Sequence, residues 1–146
     1  MTTAIHRLVA GCRAGTELAV VTRMASGWAA LGHKQVLPGY CLLLPDPVVP
    51  HLNALNAAAR DRFMADLGLL GDAVLAATGA LRINYAIFGN LEPALHAHVH
   101  PRYLTEPEGM RTSNPWAYDW STAPAFDLSQ HAALRNSIRR ELAQRS

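Results

Sequence analysis

Apolar residues recur along this chain with two different periods. Between positions 53 and 78, Leu55, Ala59, Phe63, Leu67, Leu70, Val74 and Ala77 return every three or four residues, which predicts one long amphipathic helix. Arg60, Asp61, Asp66 and Asp72 fall mostly off that stripe, and Gly79 is placed to end it. The segments around it are shorter. "TELAVVTR" (16–23) is rich in Val and Thr and predicts a strand, with "SGWAALG" (26–32) as a turn and hairpin partner. "LPGYCLLLPDP" (37–47) predicts a Pro-Gly turn and then a buried strand from Tyr40 to Leu44, stopped by prolines. "LRINYAIFG" (81–89) and "PALHAHVHPRY" (93–103) flank a short turn, "GNLE", and predict an antiparallel hairpin. Residues 105–126 have no period but carry Trp116, Tyr118, Trp120 and Phe126, so they predict an irregular arm whose rings are buried. "DLSQHAALRNSIRRELAQ" (127–144) closes the chain as an amphipathic helix that Asp127 or Ser129 could cap. The order predicts an α+β domain: a mainly antiparallel sheet, one long central helix and a C-terminal helix.

Composition supports one globular domain over 1–146, with a core at about 16–104 and the arm and last helix at 105–146. Half of the residues are hydrophobic and 16% are charged. The net charge of +2 is not concentrated, apart from "RNSIRRELAQR", which reads as a solvated helix face and argues against a nucleic-acid polymer as partner. No apolar run reaches the roughly 20 residues that span a bilayer, and the first residues lack a signal-peptide core. Cys12 and Cys41 form no Cys-x-x-Cys pair, and nothing supports a disulfide between them. The expectation is a soluble cytoplasmic protein.

The chemistry concentrates in "LHAHVHPRY" (95–103). On a strand, His96, His98 and His100 share one face, and Ala97 and Val99 share the other. Three readings compete. A chance surface cluster is one. A metal site is another, but the first and third histidines lie roughly 13 Å apart by strand rise, and no partner motif supplies a further ligand. The third needs less: one imidazole attacks phosphorus and a neighbour donates to it, near the pH at which imidazole titrates.

These residues resemble the histidine-triad superfamily of nucleotide hydrolases and transferases over about 16–104. The family runs from a Pro-Gly-His strand through a long helix and an Asn-containing strand to a Gly-Gln loop. It then carries three histidines at alternate positions, often followed by Pro-Arg. "PGYCLLLP", "INYAIFGN" and "LHAHVHPRY" stand in those places. Reading His96, His98 and His100 as the three histidines leaves no residues before Pro101-Arg102. Anchoring on Pro-Arg, with Gly89-Asn90 on the Gly-Gln, makes His98 the third histidine, His96 the second and Ala94 the first. The resemblance then implies that His96 is the nucleophile.

In that register the resemblance implies hydrolysis of a nucleotide phosphoanhydride, perhaps a dinucleoside polyphosphate, through a nucleotidyl-histidine on His96. His98 donates to the phosphate. Asn84, Asn90, His100 and Arg102 are the candidate substrate contacts, Arg102 competing with a structural salt bridge and Asn84 with a backbone-bonding role. The resemblance also implies a homodimer joined through the long helix and sheet edge, and demands no cofactor or metal. Against the pattern, Ala94 replaces the first histidine, Asn90 a Gln, Leu91 a small hydroxyl residue and Tyr40 the His of Pro-Gly-His. Gly32 stands where the family holds ribose, beside His33. Two alternatives stay open: a nucleotide-binding protein with little turnover, and a zinc-dependent hydrolase.

Overall fold

The computed structural model describes residues 2–145. Five antiparallel strands form one sheet: β1 (Val20–Arg23), β2 (Gly27–Leu31), β3 (Cys41–Pro45), β4 (Arg82–Ile87) and β5 (Ala97–Arg102). Their spatial order is β1-β2-β3-β5-β4. The first three make a meander. The long helix α2 (Ala57–Thr78) then crosses the sheet and delivers β4 to the far edge, and β5 turns back to fill the gap beside β3. This topology makes β5 an interior strand, with His98 opposite both Leu42 and Ala86, and His100 opposite Asn84.

Alternation along β5 sorts its residues. Ala97 and Val99 are fully buried and join Cys41, Leu43, Phe63, Leu70 and Val74 in the main core. The C-terminal helix α4 (Leu128–Arg145) closes that core through Ile138 and Leu142. Burial of side chains of this size is worth about 1.5–3 kcal/mol each. The opposite face of the sheet is shared. A helix that the sequence reading did not anticipate, α1 (Ala4–Ala14), packs Ile5, Val9 and Cys12 on Leu44 and Ala94. The histidines and the arm occupy the rest.

Helix α2 begins four residues later than the 53–78 segment predicts, because Asn56 caps it: its side-chain oxygen accepts from the Ala59 N–H at 2.9 Å. The β4–β5 connection differs more. It runs from 88 to 96, not over the four residues "GNLE", so His96 lies just ahead of the regular strand. Gly89 sits in this loop at φ 80°, a conformation that costs residues with a Cβ.

The arm is built from α3 (Glu108–Arg111) and two single turns, Pro115–Ala117 and Trp120–Thr122. It returns beside residue 34 through an isolated bridge to Ala125. Tyr118, Trp120 and Phe126 are half-buried as expected, but Trp116 remains 41% exposed. At the β1 edge, Arg139 of α4 donates to the carbonyls of Val20 and Val21, and Arg135 to that of Leu18. The β4 edge lies opposite, with Tyr85 47% exposed. Cys12 and Cys41 are free thiols, both buried, and burial pushes Cys12 up to about 11. Among the described residues, no helix is long and apolar enough to cross a membrane.

Candidate functional site

A cavity of about 840 Å³ opens over the histidine face, between β4, β5, the 88–96 loop and the arm. Ile83, Asn84, Ala86, Asn90, His96 and His98 contribute to its floor and walls, and Phe88, Leu91 and Trp116 to its rim. Of the three histidines that border it, His96 and His98 are held in different ways. His96 Nδ1 lies 2.7 Å from the carbonyl oxygen of Ala94. A carbonyl only accepts, so Nδ1 carries a proton, and in the neutral ring Nε2 keeps its lone pair. His98 Nδ1 lies 2.7 Å from the hydroxyl of Tyr40. Burial raises the Tyr40 phenol well above its ordinary range, so it stays protonated. That proton has no other acceptor among the described residues and goes to His98 Nδ1, which leaves the His98 proton on Nε2. The His96 and His98 rings are 5.0 Å apart at 71°. The site thus pairs a lone-pair nitrogen with an N–H donor.

Burial first, and then the neighbouring His96, lower His98 to about 4. His98 is therefore a neutral donor at ordinary pH. Burial lowers His100 further, to about 3, with His98 and Arg102 adding to it. His100, a candidate substrate contact by its place on the histidine face, borders the same cavity from within the fold. The residue is fully buried, and neither ring nitrogen has a partner among the described residues. Its ring is stacked on Tyr40 at 4.2 Å and 2°, and Trp116 and Trp120 stand edge-on to it at 5.1 and 5.6 Å. It works as an aromatic plate behind the cavity.

Tyr40 is the functional residue that sequence reasoning passed over. In the sequence it stands out only as a departure from Pro-Gly-His. Its side chain fills the space above Gly32, where an added Cβ would lie 2.2 Å from the ring. The two departures from the family pattern, Gly32 and Tyr40, are therefore one: the ring needs the missing side chain. Gln35 fixes the turn between them, donating to the carbonyls of Gly32 and Tyr40 and accepting from the Gly39 N–H.

Arg102 was expected to meet a phosphate or a salt bridge, and its geometry is that of the salt bridge. Its guanidinium donates to both oxygens of Glu106, to Asn84 Oδ1 and to the carbonyls of Met110 and Ser113. A guanidinium has five N–H groups, so none is left for an anion. Burial works to raise Glu106, but hydrogen bonds from Arg102, Tyr118 and the Tyr103 N–H outweigh it and hold the carboxyl below its ordinary range. Asn84 lines the cavity. Because Arg102 can only donate, the atom that faces it is the amide oxygen, and the NH2 group is turned away. Asn90 lies exposed on the cavity wall, next to Gly89. Ala94, in place of the first histidine, is fully buried among Ile5, Val9, Cys12 and Leu44.

The three imidazoles do not converge. Nδ1 is engaged in both His96 and His98, and His98 and His100 stack at 5.8 Å and 12°. Among the described residues, no group of three His, Cys, Asp or Glu side chains is arranged to hold a metal ion.

No family model matches this sequence, and no curated protein matches it. Solved structures do. A histidine-triad protein from Marinobacter aquaeolei VT8 is 17% identical, with a TM-score of 0.77 and both chains covered in full. A hypothetical histidine-triad nucleotide-binding protein from Sulfolobus tokodaii is 15% identical, with a TM-score of 0.74 over 94% of this chain and 92% of that one. A histidine-triad protein from Sinorhizobium meliloti 1021 is 20% identical, with a TM-score of 0.72 over 84% and 87%. At this level of identity the likeness is one of fold. The chain has the histidine-triad fold, an α+β architecture with the histidine face turned into a cavity.

Proposed function

We propose that this chain binds a nucleotide in the histidine cavity and hydrolyses an anhydride at its α-phosphorus, through a covalent intermediate on His96. One observation carries the reading: a lone pair on His96 Nε2, fixed by the Nδ1–H bond to Ala94, stands beside an N–H donor on His98. Nε2 attacks phosphorus in line, the P–N bond forms, and the bond to the leaving oxygen breaks with its electron pair. The His98 Nε2–H bonds a phosphoryl oxygen as charge builds there, and Asn90 with nearby backbone N–H groups adds to it. The Asn84 amide NH2 is a further contact for phosphate or ribose. Water then breaks the P–N bond, releases the mononucleotide and returns the lone pair to His96. A dinucleoside polyphosphate is one substrate of this class. The reading includes a homodimer, for which the open β4 edge and the exposed Tyr85 and Met64 offer a surface.

The rival reading, a nucleotide-binding protein with little turnover, draws on Ala94. The test separates the two and also checks the register. Wild type, His96→Ala and His98→Ala are quenched during reaction with an α-³²P-labelled dinucleoside polyphosphate. Wild type should carry label on histidine, and His96→Ala none. His98→Ala should turn over at least a hundredfold more slowly, as for a lost transition-state donor. Label retained by His96→Ala but lost from His98→Ala would make His98 the nucleophile. Binding without label or product in wild type would favour the binder.

A further inference from the structure

The loop that carries the candidate nucleophile is firmly held at its end, where Ala94 and Leu95 are buried, and loosely held at its start. Phe88 is 60% exposed and Leu91 97%, and Gly89 adopts a left-handed backbone. Yet this loop must present the Ala94 carbonyl to His96 Nδ1. Two hydrogen bonds reach from this loop to separate parts of the chain: the Leu95 N–H, in the same peptide group as the Ala94 carbonyl, donates to the Val49 carbonyl at 2.8 Å, and the Ala4 N–H, at the start of α1, donates to Glu92 Oε2 at 3.0 Å. The Glu92 carbonyl in turn accepts from the Ala94 N–H at 2.7 Å. Ala94 itself is packed on Ile5 and Val9 of α1.

The first turn of α1 is prepared for this role. Thr3 Oγ1 accepts from the N–H groups of Ile5 and His6, and His6 Nδ1 accepts from the Thr3 N–H. The Ala4 N–H is a first-turn donor that a helix cannot satisfy internally, so a carboxylate there is favoured both by the hydrogen bond and by the helix dipole. At the other end, Arg13 pairs with Asp46, which also accepts from Trp28 Nε1 at 3.0 Å. Helix α1 is thus fixed to the sheet at its C-terminal end and grips the loop with its N-terminal end.

We propose that Glu92 is a positioning residue for His96: by docking the loop on α1 it fixes the Ala94 N–H side of the turn, as the Val49 carbonyl fixes the Leu95 side, and so sets the carbonyl that holds His96 in the Nδ1–H form. The helix then supplies the support that the absent first histidine would give. The inference rests on the reading of His96 as nucleophile. In a free imidazole the proton prefers Nε2, which would block attack, so a loosened Ala94 carbonyl lets the unproductive form grow.

The test uses the full chain and cuts the same hydrogen bond from either side. Glu92→Ala removes the acceptor. Ala4→Pro removes only the donor, at a first-turn position where proline suits the helix. The tautomer of His96 is read from ¹⁵N chemical shifts, and kcat and KM from hydrolysis of a dinucleoside polyphosphate. Both variants should show a growing Nε2–H population in His96. They should lose kcat on the order of tenfold, the scale of a misplaced reacting group, with KM within about twofold of wild type. Glu92→Gln, which keeps an acceptor oxygen, should restore both. An unchanged His96 tautomer in both variants would overturn the proposal, as would a rise in KM alone, which would make Glu92 a substrate contact. The tautomer needs no turnover, so it decides the positioning role even if the hydrolase reading fails.

Discussion

At the scale of single residues, Tyr40 connects most of the site. Its ring supports His100, its hydroxyl sets the proton on His98, and its bulk accounts for Gly32. Tyr40→Phe keeps the stack and removes only the hydroxyl. His98 Nδ1 then loses its donor, and the ring is free to place its proton there and offer a lone pair to the phosphate. The expected outcome is a fall in kcat on the order of tenfold or more, with a melting temperature close to wild type, read by steady-state kinetics beside a thermal melt. The histidines themselves were legible in the sequence, since alternation alone placed His98 and His100 on one face. The individual roles were not. Which nitrogen holds a proton depends on Tyr40 and on the Ala94 carbonyl, and strand period says nothing about either. Arg102 shows the same limit: its chemistry suits a phosphate, but Glu106, four residues on, satisfies it first.

At the scale of elements, the long helix and all five strands could be read from period and punctuation. The helix α1 could have been read as well, because Thr3 with the Ile5, Val9, Cys12 stripe is a cap followed by an apolar face. The arm could not, since its shape comes from one buried side chain. Arg102 reaches three parts of it at once, through Glu106, Met110 and Ser113, while Tyr118 donates to Glu106. Arg102→Lys leaves a charge beside Glu106 but cannot reproduce that fork of contacts. The variant should lose about 2 kcal/mol, the scale of buried acceptors left without a donor. Protease cleavage should appear within 105–122 before the core unfolds. Trp116, which stands edge-on to His98 at 5.1 Å, should become more exposed, seen as a red-shifted tryptophan emission.

At the scale of the whole molecule, two neutral histidines inside the fold make its stability depend on pH. His98 and His100 stay unprotonated down to about 4 and about 3, whereas in the unfolded chain they take up protons near 6.5. Between those limits the unfolded state binds more protons, so stability present above pH 6.5 is lost as pH falls toward 4. Asp46, held at about 2 by Arg13, loses its contribution only below its unfolded value of 3.8. A comparison of urea midpoints at pH 7.5 and pH 5.5 therefore reads mainly the histidines, since Glu106 loses its contribution only as the pH approaches its unfolded value of 4.5. His100→Phe should make the protein less sensitive to that change. It should also raise the midpoint at pH 7.5, because it replaces a ring with two unpartnered buried nitrogens. The two sheet edges carry a different consequence. Arg139 of α4 occupies the carbonyls of Val20 and Val21 in β1, and Arg135 that of Leu18 just before it, whereas β4 lies at the opposite edge with no such cover. A sheet with one free border can pair with a copy of itself, and pairing uses up the free border of each. Growth stops at two, so the protein should resist fibril formation as long as Arg135 and Arg139 stay in place. Replacing both with alanine would reopen the second border, and chains of sheets, visible as thioflavin-positive fibres, would then have somewhere to grow.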